Sequence, residues 1–363
     1  MNKKMSDKKS FSRRQFLGTT AAAASLALVP GNYAFGQSVS AAPSSKPNSN
    51  FNGVKIGAIT YSWRSMPAGV ENIIKYCTEC GISTIELMSS DLETYLGAPE
   101  NPMTAIFASM MRAPQPAPAA PPAGQAAQPA APPQRPQPTA EQQAQITKYN
   151  EDIKKWRTGF SISKVEPARK LFSDAGIEVH IVKFSPSQWS DEEIDYAFKV
   201  AKAMGAKGVS EEVSENAVKK LAPFAEKNGM YAVFHQHMQF ATEGFSYDPF
   251  LAVSPAVMMN FDAGHFFGST GIHPNTILDK YHERIFSIHI KDKTGPNTQP
   301  TPNTNQVWGQ GEMPLAEVLL HIKEKKWPIY CDIELEYEVK QWSNAVKEVK
   351  TCVNYARNIL LNS

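Results

Sequence analysis

Eight short apolar runs, separated by stretches with helical spacing, constrain this chain more than any other feature. They read KIGAITYS (55–62), TIELM (84–88), EVHIVKF (178–184), KGVSEEVS (207–214), YAVFHQH (231–237), VMMNFDAGH (257–265), IFSIHIKD (285–292) and IYCDIELEY (329–337). Between them, stretches such as DEEIDYAFKVAKAMGA and ENAVKKLAPFAEKNGM carry apolar residues at helical spacing and a glycine close to the end. Strands alternating with helices give right-handed βαβ units and a parallel sheet. Eight of them predict an α/β fold, a closed (β/α)8 TIM barrel. Its usual size of about 250 residues matches the chain once the insert described below is set aside. A doubly wound open sheet is the rival, but no glycine-rich phosphate loop follows the first strand.

Residues 1–36 read as a twin-arginine signal peptide. Ser12-Arg13-Arg14-Gln15-Phe16-Leu17 precedes an Ala/Leu-rich stretch and the small-residue site Ala34-Phe35-Gly36. The apolar stretch is too short and too rich in alanine for a membrane span. The expectation is therefore a periplasmic or secreted protein, with no stable membrane span after cleavage. Residues 37–53 read as a linker, 54–345 as the barrel and 346–363 as a C-terminal helix. Residues 98–148 interrupt the repeat with APQPAPAAPPAGQAAQPAAPPQRPQPTAEQQ. This Pro/Ala-rich composition cannot pack a core, so an insert is expected to leave the barrel after the second strand as a disordered or polyproline excursion.

Charge removes one class of partner. The chain holds 37 Lys and Arg against 35 Asp and Glu. Without the first 36 residues, which carry six of the former and one of the latter, the balance becomes 31 to 34. A net charge of −3 with no basic stripe argues against nucleic acid. Cys77 and Cys80 form a lone CxxC in the helical pattern GVENIIKYCTECG and read as helix-packing residues rather than a zinc or redox pair.

The last three apolar runs end in polar residues: Asp262 and His265, then His289, Lys291 and Asp292, then Glu334 and Glu336. In a (β/α)8 barrel, reactive residues project from the C-terminal strand ends. Residues two apart share a strand face, which groups His235 with His237, His289 with Lys291, and Asp332 with Glu334 and Glu336. Turning so many charges toward one axis is costly unless a metal or a hydrogen-bonded substrate pairs them. Asp, His and Glu donors suit a divalent cation held by mixed oxygen and nitrogen ligands.

TIEL, FHQH, DAGH, HIKD, the WGQGEMP loop and IELEY, in this order and spacing, resemble the sugar isomerase/epimerase superfamily built on the xylose isomerase-like barrel. That superfamily includes inosose isomerases and dehydratases, ketose 3-epimerases and endonuclease IV, and the resemblance covers the barrel region 54–345. It implies one divalent ion (Mn, Co, Zn, Fe or Mg) held by Asp262, His289 and Glu334. His235 stands at the fifth-strand position that relatives usually fill with Glu, so one negative charge is lost. Glu212, at the end of the fourth strand, is able to restore it as a ligand or as a base. It is preferred over Glu211 because it shares a face with Ser210 and Ser214. Glu212, Glu334 and His237 are the candidates for proton transfer, and Lys183 for stabilising an enediolate oxygen. Trp63, Arg64, His265, Lys291 and Trp308 are candidate substrate contacts.

A metal that chelates a carbonyl and its neighbouring hydroxyl acidifies the adjacent C–H and stabilises the enediolate. The expectation is a metal-dependent sugar isomerase or epimerase. The alternative is a lyase or hydratase acting on a 3-keto-glycoside by β-elimination. A non-catalytic sugar-binding barrel is disfavoured by the retained Asp262, His289 and Glu334. An endonuclease IV-like nuclease would need a richer metal cluster and a basic face. Export favours a free sugar or keto sugar as the small-molecule substrate over a cytoplasmic sugar phosphate. The resemblance also allows homo-oligomers, which are common among such barrels.

Overall fold

Eight parallel strands close on themselves: β1 (Val54–Ile59), β2 (Thr84–Met88), β3 (Glu178–Lys183), β4 (Gly208–Glu212), β5 (Tyr231–His235), β6 (Val257–Asp262), β7 (Ile285–Ile290) and β8 (Tyr330–Ile333). Each pairs with its neighbours in chain order, and β8 returns to β1 with Asp332 opposite Gly57. The (β/α)8 barrel expected from the sequence is therefore closed, leaving no edge in the ring of eight. These relationships come from a computed structural model that describes residues 46–103, 105–106 and 137–363. The twin-arginine segment and most of the Pro/Ala/Gln tract lie outside the described residues.

Strand alternation gives the two faces different jobs. Ile85, Val209, Phe234, Phe261, Ile288 and Ile333 are buried in one core with the surrounding helices. On the opposite face, Ile181, Val233 and Met258 form a small separate apolar cluster. Above it the barrel interior is polar, with Glu86, Ser210, Asn260, Ser287 and His289 all buried. The last strand is shorter than its apolar run. The chain leaves the sheet after Ile333, and the Glu334 N–H still donates to Ile290 O at 3.2 Å.

After the tract the chain re-enters through a helix, Ala140–Thr158, begun by a capping box between Thr139 and Gln142. Its last turn is clamped by Arg157. Nε and Nη2 donate to Glu93 at 2.8 and 2.9 Å, Nη1 donates to Glu193 at 3.3 Å, and the guanidinium lies 3.5 Å from the Trp189 ring centre. Among the described residues no helix is long and apolar enough to cross a membrane.

Candidate metal centre

β5, β6, β7 and β8 run side by side, so the residues at their C-terminal ends converge. His235 Nε2 lies 3.3 Å from Asp262 Oδ2, and His289 Nδ1 lies 3.0 Å from Glu334 Oε2. One ligand atom from each of these four buried residues lies within 4.8 Å of the others. Two imidazoles and two carboxylates, all buried, suit a divalent first-row cation. The Lys291 ammonium is already drawn to this point, 2.8 Å from Asp262 Oδ2, 2.6 Å from Glu334 Oε2 and 2.7 Å from Glu336 Oε2. Burial opposes its charge, but the three carboxylates hold its pKa above the ordinary lysine value. A place where carboxylates converge on a cation fits a metal.

Behind each histidine stands a carboxylate that aims it. Glu212 Oε2 lies 3.0 Å from His235 Nδ1, and Glu86 Oε2 lies 2.8 Å from His289 Nε2. Glu86 is itself fixed, accepting from Ser210 Oγ at 2.5 Å and from Asn260 Nδ2 at 2.8 Å. Asn260 Oδ1 in turn accepts from Ser287 Oγ at 2.8 Å. Burial works against an ionised Glu86, yet His289, Lys183 and Ser210 bring its pKa down to about 2. Glu212 is ringed in the same way by His235, by His237 Nε2 at 3.2 Å and by Lys183 Nζ at 2.8 Å. Although partial burial opposes its charge, these partners hold its carboxyl well below the usual range.

The structure brings together His235, Asp262, His289, Glu334 and Lys291, with Glu212, His237 and Lys183 alongside. Glu211 points elsewhere and accepts from the backbone N–H groups of Ser187 and Glu212. Asp332 shares a face with Glu334 but lies deeper, with Oδ2 2.9 Å from His180 Nε2. His265 is 3.8 Å from Asp262 and 3.7 Å from Glu336. Burial first, then Lys291 and Lys293, lower its pKa to about 4, so the ring is neutral at pH 7. The other candidate contacts are occupied elsewhere. Arg64 donates to Leu335 O at 2.8 Å, Trp63 packs on Tyr76, and Trp308 is buried edge-on to Tyr355. None of these three bonds to a side chain of the cluster.

Glu86 and Asp292, both within the motifs quoted above, were given no role from the sequence. Glu86 is the lone charge in the apolar run TIELM, and a carboxylate in mid-strand was the available signal. Asp292 accepts from Gly309 N and Gly311 N at 2.8 and 2.9 Å, tying the WGQGEMP loop to the end of β7.

Fold and site together define a (β/α)8 barrel with a buried His/Asp/Glu centre at its C-terminal strand ends. The xylose isomerase-like TIM barrel family profile matches residues 157–355, and the chain belongs to that family. No curated protein matches it. Among solved structures it is similar to the IOLI protein with a binding zinc atom, at 14% identity over 85% of this chain and 98% of that one, with a TM-score of 0.54. A xylose isomerase domain protein from Alicyclobacillus acidocaldarius follows at 12% identity, 84% and 99% coverage and 0.53. The probable 3-DHS dehydratase AsbF from Bacillus anthracis gives 13% identity, 83% and 98% coverage and 0.51. At these identities the likeness shows the fold alone.

Proposed function

We propose that this chain is a divalent-metal-dependent isomerase or epimerase of a small sugar or keto sugar, with His235, Asp262, His289 and Glu334 as the metal ligands. The observation that carries this reading is the convergence of those four buried donors within 4.8 Å, at the barrel end where (β/α)8 enzymes work. The zinc in the IOLI structure supports a metal on this fold. When bound, a divalent cation supplies polarisation of a carbonyl and its neighbouring hydroxyl, which makes the adjacent C–H acidic.

The proton is handled by the chain's own groups. The Glu212 side chain is 42% exposed and that of His237 53%, so both are open to a substrate while bonded to each other. Glu212 takes the proton, and its return to the neighbouring carbon gives isomerisation. Return on the opposite face gives epimerisation. Lys183, held on Glu212, stabilises the negative charge that develops on the substrate oxygen. Glu334 lies too deep to reach a C–H easily and is assigned to the metal rather than to proton transfer.

A second reading, β-elimination from a 3-keto-glycoside, is favoured by the same His237–Glu212 pair. An imidazole at the mouth is placed to hand a proton to a departing oxygen, and a probable dehydratase is among the structural neighbours. Twin-arginine export, placing the enzyme in the periplasm or outside the cell, belongs to the same proposal.

Turnover of aldoses, ketoses and 3-keto-glycosides by chelator-treated and then Mn-reconstituted protein tests both readings. A product with the same atoms as its substrate is expected. Release of the aglycone replaces isomerisation by elimination, and no metal-dependent change in any sugar contradicts both.

A further inference from the structure

Lys291 and Lys293 follow β7 two residues apart and share a side of the chain, where both lie against the helix Ala263–Thr270. That helix carries Gly264 and Gly268 one turn apart on one face. A Cβ on Gly264 would sit 2.2 Å from Lys291 Cγ. A Cβ on Gly268 would sit 2.7 Å from Lys293 Cε and 2.3 Å from Asn303 Oδ1. The two glycines are what lets both lysine stems lie along the helix.

The two ammonium groups then meet different fates. Lys291 is spent on three carboxylates. Lys293 is only 4% exposed, yet its Nζ makes no hydrogen bond or ion pair with any described residue. Its surroundings lack partners too. Both ring nitrogens of His265 and the Oδ1 of Asn303 are buried without a hydrogen bond. Burial and then Lys291 lower the lysine's pKa, against the attraction of Asp262, Glu336 and Glu334. A buried ammonium with no bonded partner is costly; Asp262, Glu336 and Glu334 act on it only through space, and an anion delivered by a ligand supplies the missing bond.

We propose that Lys293, with His265 beside it, forms a subsite for a carboxylate of the substrate, which makes the substrate a sugar acid or keto-sugar acid. This rests on the carbohydrate reading above and adds the substrate's charge to it. The ammonium and the unpartnered ring nitrogens of His265 offer polar contacts to one compact anion. A neutral sugar leaves the ammonium unmatched.

Calorimetric titration of the full chain, loaded with Mn, against glucuronate and galacturonate, their parent hexoses and glucose 6-phosphate tests the subsite. At least one uronate should bind wild type about 10-fold or more tightly than its parent hexose. Lys293→Met keeps the apolar stem and should erase that preference without changing hexose affinity or Mn stoichiometry. Gly268→Ala, which crowds Lys293 Cε, should weaken uronate binding in the same direction. A uronate preference that survives Lys293→Met, no preference at all, or a preference for the 6-phosphate overturns the carboxylate subsite. Mn stoichiometry in the same samples separates the two failures. Absent Mn defeats the metal centre, whereas intact Mn without uronate preference defeats only the subsite.

Discussion

Glu86 on β2 and His289 on β7 meet across the barrel interior, with Oε2 and Nε2 2.8 Å apart. The strands are not neighbours in the sheet, so the bond is a cross-brace that turns Nδ1 of His289 toward Glu334 and the other donors of the cluster. A carboxylate behind a ligating histidine fixes the ring and raises its basicity as a ligand.

Glu86→Gln preserves the shape of this brace and removes its charge. Divalent metal affinity, measured by competition with a chelator, should fall by about 10- to 100-fold. Affinity equal to wild type would show that the brace does not tune the centre.

Lys291 is the internal counter-charge of Asp262, Glu334 and Glu336. Lys291→Met leaves these carboxylates uncompensated in a buried place. Urea unfolding of the metal-free variant should show a loss of about 3–5 kcal/mol. Added Mn should restore more stability to the variant than to wild type, because the cation replaces the missing charge and ligand binding stabilises the native state. Equal stabilisation of both proteins contradicts this arrangement.

Arg157 tests how the helix after the tract is held. Its bonds to Glu93 and Glu193 are nearly sealed from solvent, with all three side chains less than 10% exposed. Arg157→Met should destabilise the fold by about 3 kcal/mol while metal affinity stays at the wild-type value, since Arg157 bonds to no residue of the centre. A fall in metal affinity without a loss of stability would reverse that assignment.

The barrel was readable because each strand keeps an apolar outward face, as in Ile85, Val209 and Phe234. The convergence of Asp262, His289 and Glu334 was readable because each follows an apolar run at the same end of successive strands. His235 came from the family resemblance at the fifth strand, and face-sharing with Ser210 put Glu212, whose carboxylate lies 3.0 Å from His235 Nδ1, ahead of Glu211. Glu86 could not be assigned that way. Its partner His289 lies 203 residues away, and alternation reveals the face of a strand but not which distant strand it meets across a closed barrel. The Lys291 cluster and the unpaired Lys293 likewise depend on how the helix Ala263–Thr270 seats its glycines.

Solvent-deuterium exchange is the most direct measurement of the central claim. Mn-loaded wild type and His289→Ala are incubated in D2O with keto sugars, 3-keto-glycosides and keto-sugar acids, and the carbon next to the carbonyl is followed by NMR. Deuterium entering at that carbon, only with metal and only with His289 intact, is the expected result. Stoichiometric metal with no exchange into any of these sugars, or exchange that persists without metal and in His289→Ala, would contradict metal-dependent proton abstraction at this site.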